Sequence, residues 1–271
     1  MVALQRLSWI AVLAFASLSA LGGASPARAA FIDDFEDSDI SDWVVRCGGW
    51  SFAPGFGGGV AVVSSQFDSV LIHSSFAGGF GHYHYDVYFP NDPVADGDLF
   101  FQIVGISFYW ILLGPDNSDN VADRIIRVSN GEFGSQTAIG CAPFHLSRET
   151  WHRIDVYRFP NGVIQVFTDN EATPRMQAQD LSNGGSGGIA IRTAGAGVRF
   201  DNVSFDPTLP ANPPAPPPAS CPAWGGLLEA CSLGSPPPSG VPGASAPVLV
   251  AMALLMCGTG GYLLRRQLRT G

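Results

Sequence analysis

The chain has 271 residues, a formal net charge of −9 and no lysine. All 23 Asp and Glu residues lie between residues 30 and 245 with nine of the 14 Arg, so this central part carries a charge near −14. Such an acidic chain is excluded as a nucleic-acid binder, because neutralisation of phosphates supplies most of that affinity. The central part, about 215 residues, is long enough for one hydrophobic core with linkers.

Residues 1–29 are typical of a secretory signal. Arg6 precedes an apolar run from Leu7 to Gly23, and Ala27 and Ala29 occupy the small-residue positions of a cleavage site. We expect cleavage after Ala29 and export of the rest of the chain. An uncleaved anchor helix is the alternative, which the short apolar run disfavours.

Residues 30–206 have the composition of one all-β domain. Phe, Val, Ile, Tyr and Gly are abundant, and turn-forming residues recur roughly every eight to twelve positions. No window repeats apolar residues at the spacing of an amphipathic helix. The predicted strands are Phe31–Glu36, Trp43–Cys47, Val60–Ser64, Ser69–Ser74, His82–Phe89, Leu99–Ser107, Tyr109–Leu113, Arg124–Ser129, Thr150–Phe159, Val163–Asp169, Gly188–Arg192 and Val198–Phe205.

Two glycine-containing segments mark turns in this domain. Asn161-Gly162 tolerates the positive φ angles of a type I′ turn and predicts a hairpin between Trp151–Phe159 and Val163–Asp169. Both faces of the second arm carry apolar residues, as expected for a strand in a two-sheet stack. The glycine-rich segment 182–188 leads into a strand, so it does not predict a phosphate-binding loop.

The C-terminal part predicts a stalk and a membrane anchor. Residues 207–245 are rich in proline, which indicates stiff polyproline II structure. Residues 246–264 carry no charge and as a helix would span roughly 28 Å, close to the hydrocarbon thickness of a bilayer. The arginines in residues 265–271 indicate a cytoplasmic tail. The membrane is therefore an expected partner.

The cysteines predict two disulfides, because export places them in an oxidising compartment. Four cysteines allow three pairings, of which we expect Cys47–Cys141 within the domain and Cys221–Cys231 within the stalk. Metal binding by these cysteines is the alternative, but the chain has no C-x-x-C pair. Cys257 lies in the predicted membrane helix and is expected to act as a small apolar residue or a free thiol.

Several short sequence segments along the domain resemble those of a known superfamily. They occupy residues 31–43, 151–157, 162–169, 187–193 and 199–205, opening with Phe-Ile-Asp-Asp-Phe-Glu-Asp and closing with Arg-Phe-Asp-Asn-Val-Ser-Phe. Together they resemble the concanavalin A-like lectin/glucanase superfamily over about 175 residues. The resemblance implies an antiparallel two-sheet jelly-roll sandwich in which the first and last strands are neighbours.

The C-terminal tail resembles the sorting signals of Gram-negative bacteria of the IPTL/PEP-CTERM kind. The resemblance rests on residues 241–247, the apolar run and Arg265-Arg266. It implies a cell-envelope or surface location and a membrane protease as a partner. Gly243 and Ala244 depart from the usual pattern after the proline, which leaves open whether the tail is cleaved and the domain released.

The resemblance also implies a calcium site. Adjacent first and last strands would bring Asp34, Glu36 and Asp201 close together, and many relatives bind structural Ca²⁺ at this junction. Carboxylate and carbonyl oxygens are the ligands that Ca²⁺ prefers. The alternative is that these acids cap turns and face water.

Catalysis by the glycosidase mechanism of this superfamily is not expected. That mechanism needs two carboxylates about 5–5.5 Å apart, and the laminarinase-like members carry them on one strand as Glu-x-Asp-x-x-Glu. This spacing is absent from the chain. The glutamates are Glu36, Glu132, Glu149, Glu171 and Glu229. A hydrolase on the same scaffold ranks third among the hypotheses.

His82 and His84 share one face of a predicted strand and could contact a metal together with His73. No carboxylate or cysteine lies at a sequence spacing that would predict a further metal ligand. Polar residues on a half-exposed strand are the simpler interpretation.

A surface module that binds glycan or extracellular polysaccharide without catalysis is the leading functional hypothesis. Aromatic rings that stack on sugars, flanked by polar side chains, would form its site. A structural envelope or biofilm matrix protein with no small ligand is the alternative. The candidate ligand-binding residues are Trp50, Tyr83, Tyr85, Tyr88, Tyr109 and Trp110.

Overall fold

The computed structural model describes residues 31–92, 95–115, 123–129, 136–142, 145–217, 219 and 221. It contains 15 strands in two antiparallel sheets, which confirms the predicted fold class. The strands are β1 (Phe31–Asp33), β2 (Trp43–Cys47), β3 (Trp50–Pro54), β4 (Val60–Ser64), β5 (Ser69–His73), β6 (Gly81–Phe89), β7 (Asp98–Val104), β8 (Ser107–Leu112), β9 (Arg124–Val128), β10 (Gln136–Cys141), β11 (Thr150–Arg158), β12 (Val163–Thr168), β13 (Met176–Gln179), β14 (Gly188–Thr193) and β15 (Arg199–Asp206).

The two sheets interleave along the chain. Sheet A has the order β13-β12-β11-β6-β15-β4-β3, with β1 also paired to β15, and sheet B has the order β10-β9-β8-β7-β14-β5-β2. Phe31 pairs with Phe205, so the first strand of the domain lies beside the last. This is the adjacency that the superfamily resemblance implies.

Side-chain alternation along the strands builds the core between the sheets. On β6, Tyr83, Tyr85 and Val87 are fully buried, whereas His82 and His84, which alternate with the tyrosines, are partly exposed. Successive side chains of a strand point to opposite faces, so the tyrosines pack into the core and the histidines lie on the outer face of sheet A.

All twelve predicted strands correspond to strands in the structure, but three further strands were missed. These are β3, β10 and β13, and each lies at the edge of its sheet. Edge strands bury fewer side chains than central strands, so their sequences show a weaker alternating pattern.

The β11–β12 hairpin is confirmed, but its predicted type I′ turn is wrong. Gly162 has a φ of 87°, whereas Asn161 has no positive φ. The Gly162 amide donates to the Phe159 carbonyl at 3.0 Å, and the Phe159 amide donates to the Val163 carbonyl at 2.8 Å. Pro160, Asn161 and Gly162 thus form a three-residue loop, in which only the glycine needs the left-handed conformation.

Both predicted disulfide pairings are wrong, because Cys141 is bonded to Cys221 with a Cα–Cα distance of 5.7 Å. Cys47 is also disulfide-bonded. The Cys141–Cys221 bond links β10 to the proline-rich segment that follows β15. The prediction failed because this segment packs back against the domain and brings Cys221 next to Cys141.

We call the described residues of the segment after β15, which are 207–217, 219 and 221, the strap. Asn161 donates from Nδ2 to the Pro213 carbonyl at 2.8 Å. Pro207, Pro213 and Pro216 are partly buried, and with Pro210 they recur at every third residue, the period of polyproline II. One face of the strap therefore contacts the domain.

Among the described residues, no helix is long and apolar enough to cross a membrane. The predicted signal (1–29), most of the predicted stalk (222–245), the predicted anchor (246–264) and the tail (265–271) lie outside the described residues.

Candidate functional site

The outer face of sheet A carries a row of polar and aromatic side chains. On β6 this row contains His82, His84, Asp86 and Tyr88, which alternate with core residues. At about 3.4 Å per residue the row is about 20 Å long. Strand β11 runs antiparallel beside it and contributes Trp151, Arg153, Asp155 and Tyr157 to the same face.

A groove lies at one end of this face, over β11 and β12. Its volume is about 360 Å³, within the range of about 300–1,000 Å³ that small-molecule sites commonly have. The strap forms one wall through Pro210. The lining residues are Asp155, Tyr157, Phe159, Gln165, Phe167, Asn170, Glu171 and Pro210.

The aromatic side of the groove is built around Tyr157. Its ring stacks on His82 with centroids 4.3 Å apart and planes 4° from parallel. Phe167 meets Tyr157 edge-on at 5.6 Å, and Phe159 stacks at 6.1 Å. Tyr157 and Phe167 are only partly buried, so they offer ring surface to a ligand.

Two histidines and one aspartate converge beside the groove. His82 Nε2 lies 2.7 Å from Asp155 Oδ1, and His84 Nδ1 lies 3.0 Å from the same oxygen. Register explains this, because Asp155 lies directly opposite His84 in the β6–β11 pair and His82 is two residues from His84 on the same face.

Surrounding charges shift the pKa values of this cluster. Burial alone would lower the pKa of His84, but hydrogen bonds and charge from Asp155 and Asp86 outweigh it and raise the pKa to about 9. Burial would raise the pKa of Asp155, yet hydrogen bonds from His82 and His84 hold it well below its usual value. The cluster therefore has the electrostatics of a tight imidazolium–carboxylate pair.

The other end of the face carries a second aromatic cluster. The Trp151 ring lies 5.7 Å from Tyr88 and 6.0 Å from Phe56. The Arg199 guanidinium lies 4.8 Å above the Tyr88 ring. Phe56 is 48 % exposed, which leaves its ring accessible to a partner.

Four of the six predicted ligand-binding aromatics are core residues instead. Tyr83, Tyr85 and Tyr109 are fully buried, and Trp110 is 2 % exposed. Strand alternation buries the tyrosines between the sheets and places Trp110 in a second apolar cluster on the other face of sheet B. A buried ring cannot stack on a sugar, so these four assignments are wrong.

The other two predicted aromatics have different positions. Trp50 on β3 packs against the core near Phe200, with centroids 6.2 Å apart. Tyr88 alone belongs to the exposed face that carries the groove.

The predicted calcium ligands lie around the 55–60 turn. The Asp201 carboxylate accepts from the Phe56 amide at 2.8 Å, and the Glu36 carboxylate accepts from the Val60 amide at 2.9 Å. Burial, with charge from Asp86 and Glu36, raises the pKa of Asp201 to about 6. Asp34 accepts a local bond from the Glu36 amide at 3.3 Å. These bonds match the alternative turn-capping role, and calcium binding stays a prediction.

His73, the predicted third metal ligand, lies elsewhere. It packs edge-on against Trp43 at 5.2 Å, and its Nδ1 accepts from the Phe76 amide at 3.0 Å.

Sequence reasoning missed Asp155 and Phe167. Asp155 lies 71 residues beyond His84, and only the pairing register brings them together. Alternation along the predicted strand 150–159 did carry a signal, since it places Asp155 and Tyr157 on one face. On the other side of β11, the β11–β12 pairing places Phe167 directly opposite Asp155.

Comparison with solved structures identifies the fold. A Bacillus subtilis protein of unknown function with a galectin-like fold superposes with a TM-score of 0.53 at 13% identity, over 66% of this chain and 96% of that one. The chain has a galectin-like jelly-roll fold.

Two other solved structures superpose with TM-scores below 0.5. The carbohydrate-binding module CBM66 from Bacillus subtilis gives 0.48 at 17% identity, over 61% of this chain and 95% of that one. Bacillus licheniformis β-glucanase gives 0.43 at 12% identity, over 66% of this chain and 98% of that one. No protein-family model and no curated protein matches the chain. At 13% identity the superposition with the galectin-like protein establishes the fold alone.

Proposed function

We propose that the domain is a non-catalytic module that binds glycan or extracellular polysaccharide on the outer face of sheet A. One observation carries the proposal. Partly exposed aromatic rings, Tyr157 and Phe167, share a groove with hydrogen-bonding side chains, among them Gln165, Asn170 and Glu171. Rings that stack on a sugar, with polar groups that meet its hydroxyls, are the combination a saccharide site requires.

The second aromatic cluster extends this surface. Tyr88 and Trp151 lie on the same face of β6 and β11 as the groove, separated from it by the histidine–aspartate cluster. A face about 20 Å long suits a linear polysaccharide better than a single sugar. We therefore expect affinity to rise with chain length of the ligand.

The cellular context of this proposal comes from the sequence. We propose that the signal at residues 1–29 exports the chain and that residues 246–264 anchor it in the membrane, with a sorting protease as partner. A structural Ca²⁺ at Asp34, Glu36 and Asp201 is part of the same proposal.

A glycan array with the purified full-length protein tests the proposal, followed by calorimetric titration of the best ligand. Phe167→Ala should weaken binding about tenfold, since loss of a stacked ring costs about 1–1.5 kcal/mol. Phe67→Ala is the matched control, because Phe67 is 51 % exposed and does not line the groove. Absence of binding to any glycan, or equal loss in both variants, would contradict the proposal and favour the purely structural role.

A further inference from the structure

Three side chains from neighbouring strands converge on one point of the outer face of sheet A. One ligand atom from each of His82, His84 and Asp155 lies within 4.8 Å of the other two, and no other group of three or more such side chains does so among the residues that the structure describes. We propose that His82, His84 and Asp155 bind a divalent transition-metal ion, with Zn²⁺ as the expected ion.

The ligand types select the class of metal. Two imidazole nitrogens with one carboxylate oxygen are typical of Zn²⁺ sites, whereas Ca²⁺ and Mg²⁺ prefer oxygen ligands throughout. In a tetrahedral zinc site with bonds of about 2.0–2.2 Å, neighbouring ligand atoms lie roughly 3.3 Å apart. The observed 2.7 and 3.0 Å from Asp155 Oδ1 to His82 and His84 are shorter than this, and all three ligand atoms lie within 4.8 Å of one another. Binding therefore needs side-chain shifts that admit the ion, and the ion displaces the ring protons that face Asp155.

The site has access to solvent. The side chains of His82, His84 and Asp155 are 23%, 12% and 12% exposed. An ion can therefore enter from the outer face, and a water molecule can serve as its fourth ligand. Three protein ligands and one water molecule would complete the four-coordinate geometry that Zn²⁺ prefers.

Further charged groups lie beside the ligands. The second ring nitrogen of His84, Nε2, lies 3.8 Å from Asp86 Oδ1, which is within ion-pair range but longer than a hydrogen bond. A carboxylate behind a histidine ligand is a common feature of metal sites, because it fixes the ring and increases its basicity. Arg153 Nε lies 3.4 Å from Asp155 Oδ2, which leaves Oδ1 towards the histidines.

A β-bulge in β15 positions a side chain that bonds Asp86. The β15–β6 register shifts between Asp201 and Ser204, and Asn202 in this bulge has a φ of 50°. Its Nδ2 donates to Asp86 Oδ2 at 2.8 Å. Bulges often re-aim side chains beside functional sites, and asparagine tolerates the left-handed conformation better than most residues.

The inference goes beyond glycan binding and does not depend on it, because metal uptake is measured without any glycan. The full-length chain would be purified in mild detergent with an affinity tag that lacks histidine. It would then be stripped with EDTA, dialysed, loaded with zinc and analysed by mass spectrometry for bound metal. We expect about one zinc ion per chain and a rise in melting temperature on zinc addition. Cobalt(II) in place of zinc should give visible absorption bands of a four-coordinate ion.

Variants locate the bound ion. His84→Gln and Asp155→Asn should each lose zinc at least about tenfold, and Asp86→Asn, which keeps all three ligands, should weaken binding about 10-fold. His152→Gln is the matched control, because His152 pairs with Asp169 at 2.8 Å outside the cluster. It should retain zinc as the wild type does.

Two results would overturn the proposal. One is a wild-type chain that retains no zinc, with His84→Gln lowering only the melting temperature, which would make the cluster an ion pair alone. The other is zinc retained equally by wild type, His84→Gln and Asp155→Asn. If His84→Gln does not fold, Asp155→Asn and Asp86→Asn take its place, and wild-type zinc retention by both would overturn the proposal.

Discussion

Removal of the Cys141–Cys221 disulfide by the double change Cys141→Ser and Cys221→Ser should destabilise the domain strongly. The bond closes a segment with a sequence separation of 80 residues. In the chain-entropy model such a cross-link stabilises the folded state by about 4.5 kcal/mol, because it restricts the unfolded chain. The strap could detach in the variant, which would return some entropy to the native state. Its prolines have little backbone freedom to regain, so we expect most of the effect to remain, a loss of about 2–4.5 kcal/mol.

Urea unfolding of the full-length protein measures this loss as a shift of the midpoint. Substitution is preferable to a reducing agent, because Cys47 is also disulfide-bonded and would be reduced as well. The corresponding double alanine variant controls for the new hydroxyl groups. A loss below about 1 kcal/mol, well under the 2–5 kcal/mol typical of a lost native disulfide, would refute the reasoning and show that the strap is not an integral part of the domain.

Three further changes have defined outcomes. Gly187→Ala should cost about 1–3 kcal/mol by thermal unfolding, because the new Cβ would meet the Gln102 backbone at 2.5 Å. Gly185→Ala is the control and should be neutral, because a Cβ there would meet open space. Equal effects of the two substitutions would contradict this prediction. Arg158→Met should cost about 1–3 kcal/mol in urea, because it removes the donor that Arg158 Nε supplies to the buried Gln102 Oε1. A cost below about 0.5 kcal/mol would argue against it. In the Asp155→Asn variant, which lacks a ligand of the proposed zinc site, EDTA should lower the melting temperature and Ca²⁺ should restore it if calcium occupies its predicted site. An unchanged melting temperature would exclude calcium.

Central strands could be predicted from the sequence because their alternation is strong. In β6 and β11, core residues such as Tyr85 and Ile154 alternate with polar ones, so both strands and their outer faces follow from the pattern. The edge strand β13 has four residues, and two of them are exposed, which is too short a pattern to recognise. The loop between β11 and β12 was predicted incorrectly, because Asn161-Gly162 fits both a two-residue type I′ turn and a three-residue loop that ends in glycine. Pro160, which forms the first residue of the observed loop, favours the three-residue form.

The site was less predictable than the fold, because it depends on pairing between distant segments. Asp155 joins His82 and His84 only through the β6–β11 register, and the strap returns to Cys141 through a contact that no local pattern encodes. Composition also cannot separate core aromatics from exposed ones. Tyr83 and Tyr157 look alike in sequence, yet one lies between the sheets and the other lines the groove.

A crystal structure of the protein with the tightest-binding oligosaccharide tests the central claim most directly. We predict a sugar ring in van der Waals contact with Tyr157 or Phe167, with hydroxyl groups bonded to Gln165, Asn170 or Glu171. A saccharide bound to sheet B, or a groove that stays empty while the ligand occupies another surface, would contradict the account.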